Sequence, residues 1–247
     1  MFPAIAQQAL QLLSSEGTHA ADLERLISSD PTLAGHIVAA ANSAAIGGRG
    51  RVAALSHAVA RIGFTIARQI VGGSAIRGMY GARYSQTLWN HSLEVAETAR
   101  GLAEQTGRVD PDHAFLAGLL HDVGKLVMLG LAAASRASYE QLARKGCPDV
   151  VVERVVFGEA HPSVGARLLR AWHFAEPLVL AVEHHHEPER DEEALTAVIY
   201  LAERAARRDE GLESEWRDEL ARRLVGFNGP LEVAPHGPVW SELRFSG

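Results

Sequence analysis

Six of the twelve histidines stand where they could work together. His121-Asp122 lies in a run from Asp112 to Leu131 that is otherwise apolar apart from His113 and Lys125. An ionisable pair buried in such a run is costly unless it is paired, hydrogen-bonded or coordinated to metal. His91 stands on an earlier helical run, His161 opens a later one at His161-Pro162, and His185-His186 close another. Imidazole nitrogens with a carboxylate able to bridge two ions suit manganese, iron or zinc, and carboxylate content favours the harder ions. The separations are too long for a zinc finger. Each member also has a plainer reading. His91 can be a satisfied polar residue at a helix start, His121-Asp122 a buried hydrogen bond between helices, and His161 a residue flanking Pro162. His184-His185-His186 can be an exposed helix end at the negative pole of the dipole. His19, His36, His57, His113, His173 and His236 stand alone, without a carboxylate pattern.

Adjacent residues of a helix point about 100° apart, so His121 and Asp122 share a site only if other helices approach from the side. The rest of the sequence supplies them. Helical spacing recurs from end to end and no segment alternates strictly, so the expected fold class is all-α. Helices are expected over Ala4 to Leu13, after a Thr18 cap, from Asp30-Pro31 to near Gly47-Gly48, and from a Ser56 cap to Gly72-Gly73. A run from Leu88 closes at Gly107. Asp110-Pro111 then starts one continuous central helix through Leu131, and no helix is assigned between Leu131 and Val150. Val150 to Val156 is rich in β-branched residues, yet its place between helices favours a helix. Further helices are expected over Pro162 to Trp172, Glu176 to His185, Glu192 to Arg208 and Leu212 to Leu224. An irregular tail with Gly229-Pro230, Pro235 and Gly237-Pro238 follows.

With 24 Lys plus Arg against 30 Asp plus Glu, the net charge of −6 excludes bulk electrostatic binding to nucleic acid or to an anionic membrane. A 47% hydrophobic content is enough for a sizeable core. Cys147 is the single cysteine, so no intramolecular disulfide forms and a reducing, cytoplasmic compartment is expected. No apolar stretch approaches membrane-spanning length, and the start lacks a secretory pattern. Arg49-Gly50-Arg51 reads as a solvated loop, Arg204, Arg207 and Arg208 as an exposed helix face, and Cys147 as chemically inert.

Leu88-Trp89-Asn90-His91-Ser92, Gly118-Leu119-Leu120-His121-Asp122-Val123-Gly124-Lys125 and His161-Pro162-Ser163-Val164-Gly165-Ala166 resemble the HD superfamily of metal-dependent phosphohydrolases. Asp30-Pro31-Thr32-Leu33, Asn42-Ser43-Ala44 and Arg61-Ile62-Gly63 resemble the N-terminal half of the HDOD domain, the HD-related output domain of bacterial signalling proteins. Trp172, Pro177 and His185-His186-Glu187-Pro188 continue that pattern, so the likeness runs over residues 2 to 208.

The resemblance implies a helical lobe over 1–84, an HD-like lobe over 85–210, and a C-terminal helix and tail over 211–247; with no linker or repeat between the halves, one packed unit is favoured over two independent domains. It implies His91, His121, Asp122, His161, His185 and His186 as metal ligands, with Glu203 standing where catalytic relatives carry an aspartate. Asp122 would bridge two ions and Lys125 would neutralise phosphate. No Gly-Tyr-Pro follows Lys125, which argues against cyclic di-GMP hydrolysis. The expected role is a signalling module that binds a protein partner, or a nucleotide or phosphate ligand, and retains a divalent metal. The alternative is a metal-dependent phosphohydrolase acting on a nucleotide or other phosphate ester. No sensory or receiver segment precedes the first helix, so input is expected from a partner or a small ligand. No nucleic-acid or membrane partner is expected.

Overall fold

A computed structural model describes residues 20–28, 31–42, 52, 54–77, 85–129, 133–171, 174–207 and 215–232. Among them no strand occurs. The helices are α1 (Ala20–Ser28), α2 (Pro31–Ala41), α3 (Leu55–Arg77), α4 (Ser85–Thr106), α5 (Pro111–Leu120), α6 (Val123–Leu129), α7 (Ala133–Ala143), α8 (Asp149–Phe157), α9 (His161–Ala171), α10 (Glu176–His184), α11 (Ala194–Arg207) and α12 (Glu215–Val225). A short 3₁₀ turn, Pro188–Arg190, lies between α10 and α11. The expectations for Ala4 to Leu13, the Thr18 cap, Asp30, Arg49-Gly50-Arg51, Trp172, Arg208 and the tail beyond 232 lie outside the described residues. None of the described helices is long and apolar enough to cross a membrane.

The described residues fall into two compact units, one up to Trp89 and one from Asn90 onward. In the first, α1, α2 and α3 pack together over buried Leu23, Ile27, Leu33, Ile37, Ile62 and Ile70. α2 ends at Ala41 and not near Gly47-Gly48, because Asn42 leaves the helix to grip the returning chain. Its amide donates to Val52 O at 2.7 Å, and Val52 N donates to Asn42 Oδ1 at 2.7 Å. α3 begins one residue before Ser56, with Ala58 N on Ala54 O at 2.9 Å, and runs on past Gly72-Gly73 to Arg77. It is interrupted at Gly63, whose φ of 79° is open to glycine and strained for other residues.

The second unit is organised around α5, whose residues from Ala114 to Leu120 are all buried. Its start is the expected one. Asp110 caps it by accepting from Asp112 N at 2.9 Å and His113 N at 3.0 Å, and Pro111 fills the first position, where no N–H is needed. Its end differs from the sequence expectation. The helix from Asp112 to Leu131 is broken at His121-Asp122 into α5 and α6, with Lys125 N closing a turn on Asp122 O at 2.9 Å. The break accompanies a tertiary contact: α6 lies so close to α9 that a Cβ on Gly124 would stand 2.1 Å from His161 O.

Val150 to Val156 is helical, as expected, within α8. That helix buries Val152 and Glu153, exposes Val151 and Val155, and ends at Gly158 in the left-handed conformation. α7 had no counterpart in the sequence reading. α12 packs on α11, where the Tyr200 hydroxyl donates to Asp218 Oδ1 at 2.6 Å.

Candidate metal centre

The break after α5 turns both His121 and Asp122 towards one point, and His121 Nε2 lies 3.4 Å from Asp122 Oδ2. Four other elements bring the remaining residues there. His91 of α4 places Nε2 3.8 Å from Asp122 Oδ2. His161, first residue of α9, places Nε2 3.0 Å from Asp122 Oδ1. His185 and His186 follow α10, and both put Nε2 3.2 Å from His161 Nε2. Glu203 of α11 reaches His91 and His121 with Oε1 at 4.0 Å, and His185 and His186 with Oε2 at 3.6 Å. All seven residues expected at the site are therefore within reach of one another. The extra methylene of glutamate does not keep Glu203 away.

Three of the rings are held from behind. His121 Nδ1–H donates to Gly118 O at 2.7 Å and His185 Nδ1–H to Val182 O at 2.7 Å. A carbonyl only accepts, so Nδ1 carries a proton and Nε2 is the ring atom turned inward. His161 is fixed by Glu153, whose Oε2 accepts from the ring Nδ1–H at 2.6 Å and from the backbone N–H at 2.8 Å. Outer partners of this kind set the tautomer and raise ligand basicity in metal sites. Glu153→Gln is accordingly expected to weaken metal affinity by about 10- to 100-fold while the fold is retained, measured by competition with a chromophoric chelator. An unchanged affinity would remove Glu153 from the centre.

These donors fit a cation. Buried His121 Nε2 has no hydrogen-bond partner, and Asp122 Oδ1 faces His161 Nε2 without hydrogen-bond geometry. His161, His185 and His186 converge three ring nitrogens, and three sets of ligand atoms, His161/His185/His186, His91/His121/Glu203 and His121/Asp122/His185, each lie within 4.8 Å of one another. A single proton on His161 can reconcile only one of the facing pairs, whereas a divalent ion satisfies all of them. Asp122 has one oxygen towards each side of the cluster, the placement that a bridge between two ions requires.

Burial and Lys125 act to lower His161, but Asp122 and Glu153 outweigh them and raise it, so a proton competes with a cation at that ring. Burial, then the neighbouring His121, lowers His91 to about 4. Burial likewise lowers His186 to about 3 and holds His185 well below its ordinary value. Burial alone would raise Asp122, but Lys125, His121 and His161 outweigh it and keep the carboxylate ionised. Glu203 is held low in the same way by His186 and Arg207 against its burial.

Lys125 was expected to meet phosphate, but its Nζ is buried and taken up by two carboxylates, Asp122 at 2.9 Å and Asp149 at 3.2 Å. Arg207 was read as part of an exposed face, yet it is largely covered and lies 2.7 Å from Glu203 Oε1. Arg204 pairs with Asp218 at 3.3 Å and is also largely covered, so the expected arginine face is corrected at both described positions. The Glu203–Arg207 pair had a sequence signal, the i, i+4 spacing of opposite charges on a helix. Glu153 and Asp149 had none, because they reach the centre from α8 across the fold.

A model of the HDOD domain matches residues 1–188, more than half of the chain. The chain belongs to the HDOD domain family. Among solved structures, an HDOD domain protein of unknown function from Geobacter sulfurreducens is 24% identical, with a TM-score of 0.77 over 98% of this chain and 88% of that one. A candidate phosphohydrolase from Shewanella amazonensis SB2B is 23% identical, with a TM-score of 0.75 over 99% of this chain and 90% of that one. At these identities the likeness is one of fold. Among curated relatives, an uncharacterised protein of Treponema pallidum (strain Nichols) is 27% identical over 83% of this chain, which spans 41% of that protein. Ribonuclease Y of Deinococcus radiodurans is 30% identical over 59% of this chain, which spans 22% of the enzyme. This HDOD chain thus covers less than half the length of either relative.

Proposed function

We propose that this HDOD protein is a bacterial signalling module whose second unit holds one or two divalent ions and works by binding a ligand or a protein partner. The observation that carries the metal is the convergence of histidine nitrogens on buried Asp122, with His121 Nε2 and Asp122 Oδ1 left without a hydrogen-bond partner. Manganese, iron and zinc all suit a set of imidazoles and carboxylates. His91, His121, Asp122 and Glu203 would hold one side, and Asp122, His161, His185 and His186 the other. Lys125 positions Asp122, Arg207 positions Glu203, and Glu153 orients His161. The lone, exposed Cys147 agrees with a cytoplasmic setting.

A second reading, hydrolysis of a phosphate ester, has an observation of its own: a cleft reaches this centre from solvent at His186, Asp149 and Arg207. Divalent ions in such a site supply an activated water and stabilise charge developing on phosphorus. Arg207, which lines the cleft as well as pairing with Glu203, would meet the ester. The net charge of −6 argues for a small phosphate ester over a nucleic-acid chain. Phosphate release from a panel of esters with added manganese separates the readings. Turnover that vanishes in Asp122→Asn supports hydrolysis; bound metal without turnover of any ester leaves the signalling role; loss of metal in Asp122→Ala with turnover unchanged refutes catalysis at this centre.

A further inference from the structure

The cleft beside the centre has a volume of about 530 Å³, within the usual range for small-molecule sites. Its inner end is formed by Asp149, His186 and Arg207, each of which touches the histidine–carboxylate cluster or the lysine that braces it. Its outer walls combine two unlike features. One is cationic: Arg154 lines the cleft, is exposed, and has no ion pair among the described residues. The other is flat and apolar: Trp216 of α12 lines it at 52% exposure, alongside Val151, also at 52%.

Trp216 is not loose. The Arg217 guanidinium lies 5.3 Å from the indole centroid, and Arg217 is itself pinned by Glu189, whose two carboxylate oxygens each accept from Nε at 3.0 Å. A half-exposed indole braced from one side, in a cleft also lined by an arginine with no ion pair among the described residues, is a stacking platform that shares its cleft with an anion site. Trp216 lies on α12, beyond the 1–188 span matched by the family model.

The geometry points to Trp216 as the residue that selects the ligand: the cleft takes a phosphate monoester bearing a flat aromatic group, its phosphate between Arg154 and Arg207 and its ring on the indole. This rests on the proposed role of the centre as a ligand site, but it is tested separately. The test is calorimetric titration of the full chain with AMP and with ribose 5-phosphate, which differ by the base, in the presence of manganese and again with a chelator. Base–aromatic stacking predicts that the wild type prefers AMP by at least about tenfold. Trp216→Ala should abolish that preference and leave ribose 5-phosphate affinity unchanged. Trp216→Phe should keep most of it, and Arg154→Ala should weaken both ligands by a similar factor.

Equal affinities in the wild type, or a preference for AMP that survives Trp216→Ala, would overturn the assignment. Melting curves of Trp216→Ala and Trp216→Phe that match the wild type confirm that a lost preference is local. A Trp216-dependent preference in protein that holds no metal would support this inference and defeat the metal reading. Metal-loaded protein indifferent to Trp216 would do the reverse.

Discussion

Gly124→Ala is expected to lower the melting temperature by roughly 6–12 °C, corresponding to about 3 kcal/mol in a chain of this size. The alanine Cβ would stand 2.1 Å from His161 O, 2.8 Å from Gly165 N and 2.9 Å from His161 C. All three are backbone atoms, so no side chain can rotate away and α6 must separate from α9. That movement displaces the first residue of α9, which carries a ring into the centre, so the variant should also bind metal more weakly. Gly35→Ala is the control. Gly35 is an exposed glycine within α2, with nothing within 4 Å of the added Cβ, and the change should be neutral or stabilising by about 0.5–1 kcal/mol. Differential scanning calorimetry of the two variants decides the point. Equal melting temperatures would mean that α6 and α9 are not in contact at Gly124.

Removing the metal is expected to have an effect of comparable size. At a free ion concentration about 1,000-fold above Kd, binding adds about 4 kcal/mol to the folded state, or roughly 8–16 °C in melting temperature. Stripping the ion leaves His161 Nε2 facing the Nε2 atoms of His185 and His186 at 3.2 Å each, and leaves buried His121 Nε2 without a hydrogen-bond partner. The stabilisation should return when manganese or zinc is added back, and it should be absent in His121→Ala/Asp122→Ala. A melting curve indifferent to chelator in metal-containing protein would place the ion elsewhere on the molecule.

Much of the site was legible because its chemistry sits in short local patterns. The adjacent pair His121-Asp122 in an apolar run, His161 before a proline, and the doublet His185-His186 could be picked out by residue type and neighbours. The element that joins them could not. Helical periodicity runs unbroken from Asp112 to Leu131, and the break at His121-Asp122 goes with a close approach of Gly124 to α9 that no local pattern encodes. The start of α5 was legible for the opposite reason, since Asp110 and Pro111 satisfy the helix end with their own atoms. The residues that support the rings were hidden for the same cause as the break. Glu153 reads as one polar position in a valine-rich helix, and its bond to His161 exists only after α8 and α9 fold together. Arg207 reads as solvated because sequence alone does not say which side of α11 faces the core.

The most direct test of a metal-holding centre is the metal content of protein purified without a histidine tag or added ions, compared between wild type and His121→Ala/Asp122→Ala by elemental analysis. The convergence of His91, His121, Asp122, His161, His185, His186 and Glu203 predicts one or two manganese, iron or zinc ions per wild-type chain and none in the variant. A wild type that stays empty even after incubation with these ions, beside a variant that has lost only stability, would contradict it and leave the cluster as a hydrogen-bonded core.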